Sequence, residues 1–132
     1  FEVWLQQGDA AIYKQRGAVE GFALLHYNRP AGDYGDYNSA NPQDFWGLHV
    51  WQDTTETPTW QTPLKPVAQD RFGVVFRIGL KPNPQEVGYL IHRGDAKDPG
   101  PDQVLTLNTH GYEVWQLQGA DTAKPYVLPH LP

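Results

Sequence analysis

The amino-acid sequence predicts an all-β fold, a sandwich or barrel of about six or seven short strands in one domain. Three observations carry this. Short runs rich in aromatic and β-branched residues, drawn partly from 5 Trp, 7 Tyr and 5 Phe, recur between turn residues. Those turn residues are abundant: the 132-residue chain holds Gly 13 and Pro 12, above an average combined usage of about 12%. No stretch carries the 3.6-residue periodicity of a convincing helix.

The elements follow in order. Phe1-Glu-Val-Trp-Leu-Gln-Gln-Gly8 matches Tyr112-Glu-Val-Trp-Gln-Leu-Gln-Gly119 at an offset of 111 residues. Self-similarity at a fixed period marks an array. Residues 1–17 are therefore expected to be the closing strand of a preceding similar module plus a linker, with chance agreement as the bland alternative. A severed strand of this kind seeks a sheet edge to pair with. Gly21–Asn28 is an apolar run and reads as a strand, ended by Arg29-Pro30. The loop from Ala31 to Asp44 holds Gly32, Gly35, Asn38, Asn41 and Pro42, and its Asp33 and Asp36 match no calcium-ligand spacing.

Trp46–Asp53 is the most informative strand. Side chains alternate along a strand, so Leu48 and Val50 share one face while His49 and Trp51 share the other. An imidazole and an indole about 6–7 Å apart along the chain suit two successive sugar rings. Equally, a sheet covered on both faces would make Trp51 ordinary core. Thr54–Pro66 is a Thr- and Pro-rich connection whose Trp60 either pins the loop to the domain or rims a binding face. Phe72–Leu80 and Val87–Arg93 are strands, separated by Lys81-Pro-Asn-Pro84, since proline cannot donate to the ladder. Gly94–Asp102 reads as a tight loop turning at Pro99-Gly-Pro101. Val104–Leu107 and Tyr112–Gln118 are the last strands, and residues 122–132 read as a linker or tail.

Several function classes lose support. With Lys+Arg 10 against Asp+Glu 15, a formal net charge of -5, no basic stripe invites nucleic acid. Cysteine is absent, which removes disulfides and thiolate chemistry. The five histidines show no zinc spacing, and no phosphate-cradling glycine fingerprint or nucleophile elbow is present. No cofactor or metal is expected, and no catalytic residue is singled out. No apolar run is long enough for membrane insertion or a signal peptide. The chain also lacks methionine, so it reads as a processed or excised piece.

His26-Tyr27-x-Arg29, Trp46-Gly-Leu-His-Val-Trp51, Asp70-x-Phe72-Gly73, Ala96-Lys-Asp98 followed by Asp102, and Glu113-Val-Trp-x-x-Gln-Gly119 stand in that order. Singly each is weak; together, over residues 18–121, they resemble the pullulanase-associated domain, carbohydrate-binding module family 41. The resemblance implies an immunoglobulin-like antiparallel β-sandwich that binds α-glucans: starch, glycogen, amylopectin, pullulan and maltooligosaccharides. It implies a non-catalytic module, outside the cell or on its surface, that targets an attached pullulanase-type glycoside hydrolase and neighbours other modules of that enzyme. It places sugar stacking on His49 and Trp51 and hydroxyl binding on Lys97 and Asp102. Some members of the family carry Trp where this chain has His49.

Two other classes compete. A protein-interaction module of a cell-surface protein would use the exposed aromatics as anchors and ignore maltooligosaccharide. A small glycoside hydrolase fragment would need two carboxylates about 5–10 Å apart across a cleft. Without the resemblance, Lys97 and Asp102 read as an exposed ion pair of little energetic value.

Overall fold

In the computed structural model, which describes residues 21–128, period-2 patterning is realised as two stacked sheets. The strands are β1 (Phe22–Asn28), β2 (Gly47–Gln52), β3 (Ala68–Gln69), β4 (Val74–Gly79), β5 (Glu86–Arg93), β6 (Ala96–Thr106), β7 (Glu113–Leu117) and β8 (Tyr126–Val127), with a single-turn helix α1 (Leu107–His110). The five-stranded sheet runs β3-β4-β1-β7-β8 and the three-stranded sheet β2-β5-β6. All pairs are antiparallel except β1–β7, which run parallel. The first and last long strands of the described chain are joined through the whole intervening fold, so no hairpin dictates their direction. The expected closing strand in residues 1–17 lies outside the described residues.

The core forms where the inward positions meet. Ala23, Leu25 and Tyr27 of β1 and Val74, Phe76 and Ile78 of β4 face Leu48 and Val50 of β2 and Val87, Tyr89 and Ile91 of β5. Leu48 is fully buried and Val50 is 3% exposed, as alternation in that strand requires. Polar groups bridge the sheets as well. The Tyr89 hydroxyl donates to Gln116 Oε1 at 2.7 Å and lies 2.7 Å from the Tyr126 hydroxyl, while Gln116 Nε2 donates to Gln103 Oε1 at 2.8 Å. Burial pushes the Tyr126 phenol up to about 12, and Tyr89 well above its ordinary value, because a phenolate in this core would lose its hydration.

Two sequence expectations change. The tight loop expected at Gly94–Asp102 is largely strand: Ala96–Asp98 pair with Ile91–Arg93, and Gln103–Thr106 pair with Glu86–Tyr89. The intervening residues Pro99–Asp102 form an irregularity opposite Leu90, which accommodates prolines that an unbroken ladder would exclude. Tyr126–Val127, in the stretch read as tail, instead pair with β7, anchored by the Tyr126 hydroxyl.

An aromatic face on the three-stranded sheet

The outward positions of β2 and β5 build the candidate site. Trp51 sits opposite Gly88, His49 opposite Leu90 and Gly47 opposite His92. Trp51 lies directly over Gly88, where a β-carbon would overlap indole Nε1 and Cε2. Only glycine leaves that space. Both His49 and Trp51 are half-buried, neither lost in a core nor fully free. The ring pair predicted by alternation is therefore present, with centroids 5.7 Å apart and planes tilted by 42°.

Trp60 completes the cluster from the β2–β3 connection, 32 residues distant from its main partner. Its indole stacks on His92 with centroids 3.7 Å apart and planes within 7°. Its Nε1–H donates to Asp95 Oδ1 at 3.1 Å. His49 stands at 5.9 Å from Trp60 with planes at 70°, so the imidazole lies between two indoles. Sequence proximity gives no hint of this docking. The available signals were an outward His92, two residues beyond Leu90 on β5, and an indole in a proline-rich loop with two open roles.

His92 is fully buried. Its Nδ1–H donates to the Gly94 carbonyl at 2.9 Å, which leaves Nε2 as an acceptor without a partner among the described residues. Burial, followed in weight by His49 and Lys97, holds its pKa below the ordinary histidine value, while Gly94 and Asp95 oppose the shift. The stacked ring is thus neutral at neutral pH and serves as an apolar bed for Trp60.

Lys97 pairs with His92 across β5–β6 and is exposed. Its Nζ lies 5.8 Å from the Trp60 ring centroid. Asp102 is exposed in the same strand, beyond the irregularity. No ion pair links the two. The structure thus groups Trp51 with His49, and His49 and Lys97 with Trp60, whereas Asp102 makes no hydrogen bond to that group.

Buried groups fix the edge that presents these charges. Asp98 is 7% exposed. Its Oδ2 accepts from the Tyr27 hydroxyl and from Arg29 Nη1 at 3.4 Å, and its Oδ1 accepts from the Gly119 N–H at 2.8 Å. Arg29 in turn reaches Asp33 and lies 4.1 Å over the Trp46 ring. On the far side of the irregularity, Gln103 is held by Gln116. Lys97 and Asp102 each neighbour one of these anchors. Among the described residues, no group of three His, Asp or Glu side chains could hold a metal ion.

Comparison with known proteins adds a separate line of support. A family model described as bacterial pullanase-associated domain matches residues 22–125. An alpha-amylase of Streptomyces lividans is 37% identical over 109 residues, covering 80% of this chain and 11% of that protein. A structure described as alpha-glucan recognition by family 41 carbohydrate-binding modules from streptococcal virulence factors superposes with a TM-score of 0.62 at 21% identity, over 76% of this chain and 44% of that one. Klebsiella pneumoniae pullulanase complexed with maltotriose gives 0.59 at 18% identity, over 76% of this chain and 10% of that one. At such identities the two structures speak for the fold. The chain spans about a tenth of the amylase's length.

Proposed function

Since the chain belongs to the bacterial pullanase-associated domain family, we propose that it is a non-catalytic carbohydrate-binding module of an amylolytic enzyme. Its ligands are α-glucans: starch, glycogen, amylopectin, pullulan and their maltooligosaccharides. The binding module takes in residues 18–121 together with Tyr126–Val127 of β8, which pair with β7. Residues 1–17 derive from a preceding copy, and the parent protein is a pullulanase-type hydrolase acting outside the cell or on its surface. The observation that carries the reading is the half-buried aromatic face of β2, where Trp51 rests on Gly88 beside His49.

The chemistry is consistent with that ligand. A glucopyranose has axial C–H groups on its faces and hydroxyls around its rim. Covering about 60–80 Å² of apolar surface on Trp51 contributes roughly 1.5–2 kcal/mol. Lys97 offers three donors and Asp102 accepts, so each suits a sugar hydroxyl, each net hydrogen bond adding about 0.5–1.5 kcal/mol. After the entropy of association is subtracted, one module binds weakly to moderately. Tandem copies raise the effective concentration on a polymer.

Calorimetric titration with maltotetraose, pullulan and glycogen tests this. Micromolar-to-millimolar binding, weakened at least about tenfold by Trp51→Ala, is expected. Absence of heat with all three ligands overturns the glucan reading and favours a protein-interaction module.

A further inference from the structure

We propose that Trp60, and not His49, supplies the second sugar-stacking surface of this module, so that one glucose ring rests on Trp51 and another on Trp60. The inference rests on the glucan reading above and assigns a subsite within it. The two β2 rings share the outward face by strand geometry alone, but their surroundings differ. His49 is wedged between the indoles, 5.7 Å from Trp51 and 5.9 Å from Trp60, and its planes are tilted by 42° and 70° to theirs. Its Nδ1 is buried without a partner. An imidazole held this way acts as a wall that separates two surfaces.

Trp60 has what a stacking surface needs. One face is backed by a fully buried, neutral ring at 3.7 Å, and its N–H is fixed by Asp95. The indole is therefore oriented before any ligand arrives, which limits the entropy lost on binding. It nevertheless remains partly exposed. Stacking on one face of a planar ring leaves the other face as the natural place for a ligand. Lys97 strengthens the assignment, because its ammonium lies 5.8 Å from the Trp60 centroid. A hydroxyl held by Lys97 belongs to a sugar above Trp60. The cation that rests over the indole in the free protein turns to that hydroxyl when the ring settles.

The simpler role for Trp60 is to pin the β2–β3 connection, and the experiment separates the two. Maltotetraose is titrated into the wild-type protein, Trp60→Ala, Trp60→Phe and His49→Ala, with thermal unfolding of each. In parallel, the indole N–H resonances of the wild-type protein are followed by NMR during the titration. Trp60→Ala is expected to weaken binding at least tenfold, Trp60→Phe to recover most of it, and His49→Ala to cost less than Trp60→Ala. The Trp60 N–H signal should shift along with that of Trp51. A Trp60→Ala protein that melts earlier yet binds maltotetraose as tightly as wild type, or a Trp60 signal that stays put while that of Trp51 moves, overturns the assignment and leaves the glucan reading intact. A wild-type protein inert to maltotetraose, pullulan and glycogen overturns both.

Discussion

Substituting alanine for Gly88 isolates the position of one indole from the integrity of the core beneath it. Gly88 is the direct cross-strand partner of Trp51, and an added β-carbon would overlap Nε1 and Cε2 and stand 2.7 Å from Cζ2. These atoms are the far end of a side chain, so the indole swings away while the β5 backbone stays. Overpacking costs about 1–3 kcal/mol, and relief of glycine's entropy in a strand returns about 0.5–1 kcal/mol. The net loss is at most about 2.5 kcal/mol, and the protein remains folded. Affinity suffers more visibly. If the displaced ring gives up the ~60–80 Å² of apolar contact assigned to the sugar, the loss is roughly 1.5–2 kcal/mol, or about 10–30-fold in Kd. Calorimetric titration of Gly88→Ala with maltotetraose measures the one, and differential scanning calorimetry the other. Adding Trp51→Ala to the same protein should cost nothing further, because both changes remove one surface. An unchanged Kd in a folded Gly88→Ala protein would refute the link between the resting place of Trp51 and affinity.

Asp98→Ala leaves the Tyr27 hydroxyl, the Arg29 guanidinium and the Gly119 N–H short of their shared acceptor. Removing one partner of a buried charged pair costs about 3–5 kcal/mol, readable as a lowered urea midpoint; a shift of a few tenths of a kcal/mol would contradict the buried-network description. The buried phenols make a pH-dependent prediction. Tyr126 is pushed up to about 12, above its unfolded value near 10. The stabilisation that follows is complete below pH 10 and drains away as pH rises from 10 towards 12. Urea midpoints measured at pH 8, 10 and 11 should fall across that window, and less so in Tyr126→Phe; an equal fall in both proteins would sink the assignment.

How far the sequence could be read depended on the range of the interaction. Alternation in Trp46–Asp53 is a local property, and Leu48 and Val50 turned inward with His49 and Trp51 outward as it demanded. The five spaced motifs led to the family, yet they gave no reason for the spacing. The fold provides one: Tyr27 and Arg29 of the first motif close on Asp98 of the fourth, and His26 of the first meets Glu113 of the fifth at 2.6 Å. The sequence leaves Trp60 between pinning its loop and rimming a binding face, because stacking on His92 is decided by tertiary approach. The Pro99-Gly-Pro101 stretch reads as a turn in the sequence because prolines usually stop a strand. Here the ladder resumes beyond them, since Gln103 and Leu105 still have inward places to fill.

The placement of the prolines bears on how copies of this molecule behave side by side. Modules gathered along a polysaccharide, as proposed here, would sit at local densities far above those in free solution, where any open strand invites a neighbour to zip onto it. Each border of the two sheets is defended. The outer strands β3 and β8 are two residues long, and Leu64 bridges onto β2 from the side. β6, the longest strand and a sheet border, carries Pro99 and Pro101, which cannot donate to an incoming chain, between the charges of Lys97 and Asp102. The segment proposed to grip the ligand is also a border that offers an incoming strand a broken row of donors, so a variant that straightened it would be expected to self-associate more readily.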